Sequence, residues 1–67
     1  MSASDKAELL TLRTQVEDLT TRVTAIANKY GATPDSAVAA DLYAAERTLV
    51  TTRRSLDRAM NHLTPES

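Results

Sequence analysis

The segment KYGATPD, residues 29–35, decides the fold, because it is the one interruption between two long periodic stretches of sequence. Gly31 is the only glycine of the chain, and it is expected to take the left-handed conformation just past a helix C-terminus. Thr33 is a suitable N-cap residue, Pro34 suits the first position of a helix, and Asp35 adds an acid to the first turn. The segment therefore predicts the end of one helix and the start of another.

On the two sides of this segment we expect a first helix over about residues 5–30 and a second helix over about 34–63, joined by a turn at 31–33. Asp5 and Glu8 have the spacing of a capping box, with Asp5 in the cap position, which supports the N-terminal bound of the first helix. A link this short forces two helices to run antiparallel as neighbours. The predicted fold is all-α, an antiparallel two-helix hairpin that forms a single domain over residues 1–67.

Apolar residues on both sides of the turn recur at alternating steps of three and four, a heptad pattern typical of helices that pack along one face. In the first helix these residues are Leu9, Leu12, Val16, Leu19, Val23, Ile26 and Tyr30. In the second helix they are Val38, Leu42, Ala45, Leu49, Thr52, Leu56, Ala59 and Leu63. We interpret the two rows together as the packing and oligomer seam of a helical coiled coil.

Folding the chain at the turn predicts three bulky layers with narrower layers between them. The bulky layers pair Leu12 with Leu56, Leu19 with Leu49, and Ile26 with Leu42. Such alternation allows two hairpins to interdigitate as a four-helix bundle. A single two-helix seam also leaves its own flank open to water, and its burial does not offset the conformational entropy of so many ordered residues. We therefore expect a homodimer. The sequence leaves open whether its two hairpins run parallel or antiparallel.

Some apolar residues lie outside the seam, and they raise the question of a partner surface. Tyr43 and Val50 are seven residues apart and share one face of the second helix. One interpretation places them in the dimer interface, and the other makes them an exposed patch for a different protein. The possible partner face comprises Leu10, Tyr43, Val50, Arg47, Arg54 and Arg58.

Composition narrows the function classes. The 67 residues carry 8 basic and 9 acidic side chains, a net charge of −1, which argues against a dedicated nucleic-acid binder. The alternative that remains is an RNA- or DNA-binding dimer that uses Arg47, Arg53, Arg54 and Arg58 on the second helix. The N-terminal residues 1–6 form neither a basic leader nor an apolar run, so we expect a cytoplasmic protein without a membrane segment.

Residues suited to catalysis or metal binding are few. The chain has no cysteine, and its single histidine, His62, is interpreted as a cation near the end of the second helix. Glu17 and Asp18 are expected to face water, with Asp18 paired to Arg22 four residues later. We therefore predict no metal, no cofactor and no enzymatic activity.

The segment LLTLRTQVEDL, residues 9–19, resembles the start of the long first helix of all-α chorismate mutases. The resemblance implies that Arg13 contributes to a carboxylate-binding site. The other Arg and the Lys of that site, and the third helix that completes it, have no counterpart in this sequence. A small enzyme with a site between subunits, centred on Arg13, is accordingly a third alternative to an interaction protein or a nucleic-acid binder.

The prediction from sequence is thus a non-enzymatic, small helical protein–protein interaction module, which acts as a self-associating adaptor, regulator or accessory subunit. The expected partner is a second copy of the chain, and another protein on an exposed helix face is the open alternative. Nucleic acid and membrane partners are not expected.

Overall fold

The computed structural model describes residues 3–63, which form two long helices. Helix α1 spans Ala3–Tyr30 and helix α2 spans Ser36–Asn61. The described residues are 88% helical and contain no strand, and the two helices pack against each other. The predicted all-α, two-helix fold is therefore confirmed. The helices are antiparallel, because Arg13 near the start of α1 contacts Asp57 near the end of α2.

The helix bounds differ from the prediction by two residues at three of the four ends. Helix α1 begins at Ala3, so Asp5 lies within the first helical turn and is not the cap residue. Its negative charge there interacts favourably with the helix dipole. Helix α2 begins at Ser36 instead of residue 34 and ends at Asn61 instead of residue 63. Residues 1–2 and 64–67 of the predicted domain lie outside the described residues.

The turn covers residues 31–35 and is closed by a threonine, which corrects the role predicted for Gly31. No glycine among the described residues has a positive φ. The backbone N–H and the Oγ1 hydroxyl of Thr33 instead donate to the carbonyl of Tyr30, at 3.2 and 2.8 Å. These bonds satisfy a carbonyl that the end of α1 would otherwise leave free. A left-handed residue is therefore not needed to terminate the helix.

Thr33 also prepares the start of α2. Its hydroxyl accepts a hydrogen bond from the N–H of Asp35 at 3.2 Å, and its carbonyl accepts one from Ser36 at 3.2 Å. These tight contacts around Pro34 form a turn before the regular helix begins. Asp35, which stands immediately before α2, makes no side-chain capping bond. The capping contribution predicted for Thr33 is thus made one turn ahead of α2.

Threonines within the helices bond back to the preceding turn. All eight of them donate the side-chain hydroxyl to a backbone carbonyl three or four residues earlier, at 2.8–3.2 Å, and they are Thr11, Thr14, Thr20, Thr21, Thr24, Thr48, Thr51 and Thr52. A hydroxyl held in this way is satisfied inside its own helix. The methyl group is left to make the outward contacts, which allows a threonine-rich sequence to form apolar helix surfaces.

The contact between the helices is narrow. Ala27 and Ala39 are the only buried hydrophobic residues in the described part of the chain, at 0% and 3% exposure. Both lie near the turn, where small side chains let two helices approach closely. No large side chain in residues 4–63 is fully buried. One hairpin therefore encloses very little apolar volume.

The helices are rotated relative to the predicted layers. The α1 residues that are buried or half-buried are Leu9, Arg13, Val16, Glu17, Thr20, Val23, Thr24, Ala27 and Tyr30. The predicted partners of the bulky layers, Leu12, Leu19 and Ile26, are instead 38%, 45% and 45% exposed. The layers expected within one chain are thus not enclosed there. The reason is that the covered face of α1 combines the predicted row of Leu9, Val16, Val23 and Tyr30 with the row of Arg13, Thr20 and Ala27 on its other flank, so the row of Leu19 is left at the edge.

The molecule is a rod. Its extents are 54 × 14 × 10 Å, and its radius of gyration is 15.6 Å. A globular chain of this length would have a radius of gyration of about 11 Å. A rod two helices wide has no interior, since every side chain lies close to the surface. Most of the surface that could contact another molecule therefore lies on the long sides of the rod.

Candidate interaction surfaces

An exposed apolar row runs along α1, and we name it the α1 ridge: Leu12, Leu19 and Ile26. The three side chains are seven residues apart, so they follow one line along the helix. Each is between 38% and 45% exposed in the hairpin. Scattered apolar residues are ordinary on protein surfaces, but a regular row of three large ones along one helix is a candidate interaction surface.

The corresponding row of α2 has small side chains, and we name it the α2 trough: Ala45, Thr52 and Ala59. Thr52 is exposed, and Ala45 and Ala59 are half-buried. The hydroxyl of Thr52 donates to the carbonyl of Thr48 at 2.9 Å. Thr52, which the sequence predicts as a seam residue, is not enclosed in the single hairpin. The row of larger residues beside the trough is half-buried: Leu42, Leu49, Leu56 and Leu63.

The ridge and the trough lie on the same side of the hairpin. On α1, Leu12 comes one residue before Arg13, which contacts α2; on α2, Thr52 comes one residue before Arg53, which contacts α1. One residue is a rotation of about 100° in a helix. In two antiparallel helices the same rotation leads to the same side of the pair. We call this the apolar side, and its other exposed large residue is Val38, at 44%.

A charge network joins the helices. Arg13 donates through Nε to Asp57 and contacts Glu17 through Nη1 at 3.3 Å. The other carboxylate oxygen of Glu17 lies 3.7 Å from Arg53 of α2. Glu17 is therefore half-buried between two arginines, which corrects the expectation that it faces water. The predicted pair of Asp18 with Arg22 is confirmed at 3.5 Å.

The network favours the charged form of the Arg13 guanidinium. The hydrogen bond with Asp57, the negative charge of Asp57 and then that of Glu17 raise the pKa of the Arg13 guanidinium above its ordinary value. Arg13, which the resemblance marks as a carboxylate-binding residue, thus binds two carboxylates of its own chain. Arg53 takes part in the same network, although its Nε atom is buried without a hydrogen-bond partner.

Two further polar contacts continue this line toward the turn. The hydroxyl of Thr24 shares its one proton between the carbonyl of Thr20 and a carboxylate oxygen of Glu46, which lies at 2.5 Å. The hydroxyl of Tyr43 donates to Asn28 at 2.5 Å. Tyr43 and Val50 are half-buried, and Val50 shares a shallow recess with Thr20 of α1. Both residues of the predicted patch therefore take part in the contact between the two helices.

The remaining residues of the predicted partner face lie opposite the apolar side. Arg47, Arg54 and Arg58 each follow a residue of the helix contact by one position, and all three are exposed. Leu10, which is 49% exposed, follows Leu9 in the same way on α1. We call this the arginine side. The structure thus divides the predicted face, since Tyr43 and Val50 lie in the helix contact and the other four residues lie on an exposed side.

Metal-ligating side chains do not cluster in the part of the chain that the structure describes. Residues 3–63 contain no group of three or more histidine and acidic side chains that could hold a metal ion. His62 is exposed just past the end of α2, and its backbone N–H donates to the carbonyls of Arg58 and Ala59. Neither described helix has a stretch apolar enough to cross a lipid bilayer.

The signal for the charge network was present in the sequence but was not used. Arg13 and Glu17 are four residues apart, and Arg53 and Asp57 repeat that spacing with the same order of charges on the second helix. In an antiparallel pair, such matched spacings place each acid near the other helix's base. The amino-acid sequence matches no known family model, no curated protein and no solved structure.

Proposed function

We propose that this chain is a non-enzymatic helical interaction module that self-associates through its apolar side into a four-helix bundle. The observation that carries the proposal is the exposed α1 ridge. Its residues belong to a regular heptad row, yet the hairpin covers none of them fully. A heptad row that the chain does not cover is suited to cover by another helix.

Burial energetics support a second copy as the partner. Enclosing a leucine or isoleucine side chain contributes about 1.5–3 kcal/mol, and the ridge presents three such residues on each copy. A face of 54 by 14 Å offers roughly 750 Å² per copy, close to the roughly 800 Å² per partner of a stable protein interface. Association would therefore supply the enclosed core that the single hairpin does not have.

The test is the solution mass of the protein by sedimentation equilibrium and light scattering over a wide concentration range. We expect twice the chain mass, with dissociation on dilution, and no loss of helicity in the dimer range. A helical protein that stays monomeric at every concentration would overturn the proposal.

A matched pair of variants tests the surface itself. Leu19→Glu places a charge in the middle of the ridge, and we expect the dissociation constant to rise by about 100-fold or more, since two copies each lose about 1.5–3 kcal/mol. Leu10→Glu is the control, because Leu10 is equally exposed but lies on the arginine side. Equal effects of the two substitutions would show that the apolar side is not the interface.

A nucleic-acid-binding dimer is the second candidate, and the exposed Arg47, Arg54 and Arg58 favour it. Its test is retention on heparin and on duplex RNA or DNA at increasing salt. Binding to phosphates releases condensed counterions, and this release favours binding less as the salt concentration rises, so phosphate contacts weaken steeply. A triple glutamine variant of the three arginines is the control. Retention that falls with salt and is lost in that variant would support this candidate. Elution of the unaltered protein at low salt would reject it.

A further inference from the structure

The pattern of large and small residues on the apolar side indicates how two copies fit together, an inference that rests on the proposed self-association. Two hairpins that meet through the same side can be related by two kinds of two-fold axis. An axis along the rod sets α1 of each copy against α2 of the other, with both turns at one end. An axis across the rod sets α1 against α1 and α2 against α2, with the turns at opposite ends.

Contacts within one hairpin establish which residues of α1 and α2 lie at the same level along the rod. Arg13 is level with Asp57, Glu17 with Arg53, Thr24 with Glu46 and Asn28 with Tyr43. Reading between these pairs assigns each ridge residue to a residue of the trough. At these levels Leu12, Leu19 and Ile26 correspond to Ala59, Thr52 and Ala45, in that order.

A two-fold axis along the rod leaves these levels unchanged. Every large residue of the ridge then faces a small residue in the trough of the second copy. An axis across the rod would instead set Leu19 against its own equivalent and leave the small residues facing each other across a gap. Interiors pack densely when large side chains face small ones, and unfilled space between helices is destabilising.

Opposite charges beside the ridge and the trough agree with the first arrangement, since Lys29 lies about one helical turn after Ile26 and Asp41 about one turn before Ala45. Lys29 and Asp41 are both exposed, and they lie at about the same level on α1 and α2. A two-fold axis along the rod brings Lys29 of each copy toward Asp41 of the other, which adds two opposite-charge pairs. We propose that the chain forms a dimer in which the α1 ridge of each copy lies in the α2 trough of the other, with both turns at the same end.

Spin labels at the turn distinguish the arrangements, because the chain has no cysteine and Ala32 is exposed. The Ala32→Cys variant carries one label per copy, and pulsed electron resonance measures the distance between the two labels. Turns at the same end would give about 20 Å, roughly two helix diameters. Turns at opposite ends would give a distance near the 54 Å length of the rod.

Light scattering on the same labelled sample separates the two proposals. A short distance in a dimer supports the ridge-in-trough arrangement. A distance near the rod length in a dimer overturns that arrangement and leaves self-association intact. A labelled protein that is monomeric, like the unlabelled chain beside it, overturns self-association as well.

A second variant tests the trough without a label. Thr52→Leu fills the middle of the trough, so the ridge of the second copy no longer fits, and we expect the dissociation constant to rise by about tenfold or more. Thr51→Leu is the control, since Thr51 is exposed one position away, off the trough. Unchanged or tighter association of the Thr52→Leu variant would contradict the arrangement, because it would mean that the small residues face a gap.

Discussion

The contact between the two helices and the apolar side of the hairpin differ in whether the chain completes its own contacts. In the helix contact, charges are paired within the chain, with Arg13 and Arg53 bound to Glu17 and Asp57. On the apolar side, the ridge is left between 38% and 45% exposed. The comparison shows that the polar contacts hold the hairpin in register, whereas the apolar residues are available for a partner.

This division follows from the physical nature of the two kinds of contact. Ion pairs at a half-exposed position contribute little stability, but they select one rotation of the helices because opposite charges must meet. Apolar burial contributes much more, yet it is non-directional and can be completed by any well-shaped surface. Orientation is thus set inside the chain, and most of the stabilising area is left for association.

The largest effect is expected from a residue that both the hairpin contact and the apolar side use. Leu49 is half-buried between the helices and lies beside the trough. We expect Leu49→Ala to lower the free energy of unfolding of the proposed dimer by about 2–5 kcal/mol, because a second copy would complete the burial of Leu49. The measurement is urea denaturation at a concentration where light scattering gives twice the chain mass.

Arg47→Ala is the control for this substitution, because Arg47 is exposed on the arginine side of the same helix. Its effect should stay within about 0.5 kcal/mol. If Leu49→Ala lowers the free energy of unfolding by only a few tenths of a kcal/mol, the apolar side contributes little burial. The contrast between the helix contact and the apolar side would then fail.

A smaller and opposite effect is expected at the turn. Gly31 has no positive φ, and a Cβ built there meets no atom within 4 Å. Gly31→Ala should raise the free energy of unfolding by about 0.4–1 kcal/mol through the lower entropy of the unfolded chain. The dissociation constant measured by sedimentation should not change, so the variant separates hairpin stability from association. A destabilised variant would indicate the left-handed conformation that the sequence predicts.

The smallest effect concerns the charge network. A double-mutant cycle with Glu17→Gln and Arg53→Gln should give a coupling free energy of about 0.2–1 kcal/mol that shrinks as salt is added. The dimer dissociation constant should stay the same, because the pair lies away from the apolar side. If the substitutions weaken association together with stability, the helix contact and the apolar side are not independent.

Much of the fold could be predicted from the sequence. Apolar residues at steps of three and four indicate both helices, and the glycine and the proline between them indicate the turn. The rotation of the helices could not. The heptad rows of α1 identify an apolar sector wider than one helix can cover, and the sequence does not say which part of the sector the second helix takes. Ala27 decides this, since its small side chain permits the closest approach along the row beside the ridge.

The candidate surfaces were predicted in part. The row with Leu19 is predicted as part of a packing or oligomer seam. In the single hairpin this row is exposed. Tyr43 and Val50 were assigned to a possible partner face because they lie off the seam, but the rotation that exposes Leu19 turns them toward α1. One change in helix rotation therefore accounts for the exposed ridge and for these two half-buried residues.

The back-bonded threonines bear on how the free chain behaves before it meets a partner. Thr52 presents a methyl group to the outside while its hydroxyl stays bonded to the carbonyl of Thr48. Water can still reach and solvate that hydroxyl in a lone hairpin, whereas in a dry interface the internal bond spares it any unmet hydrogen-bonding requirement. Such a surface tolerates both wet and dry surroundings, so the chain can remain dispersed at low concentration and still bury this face in the proposed dimer.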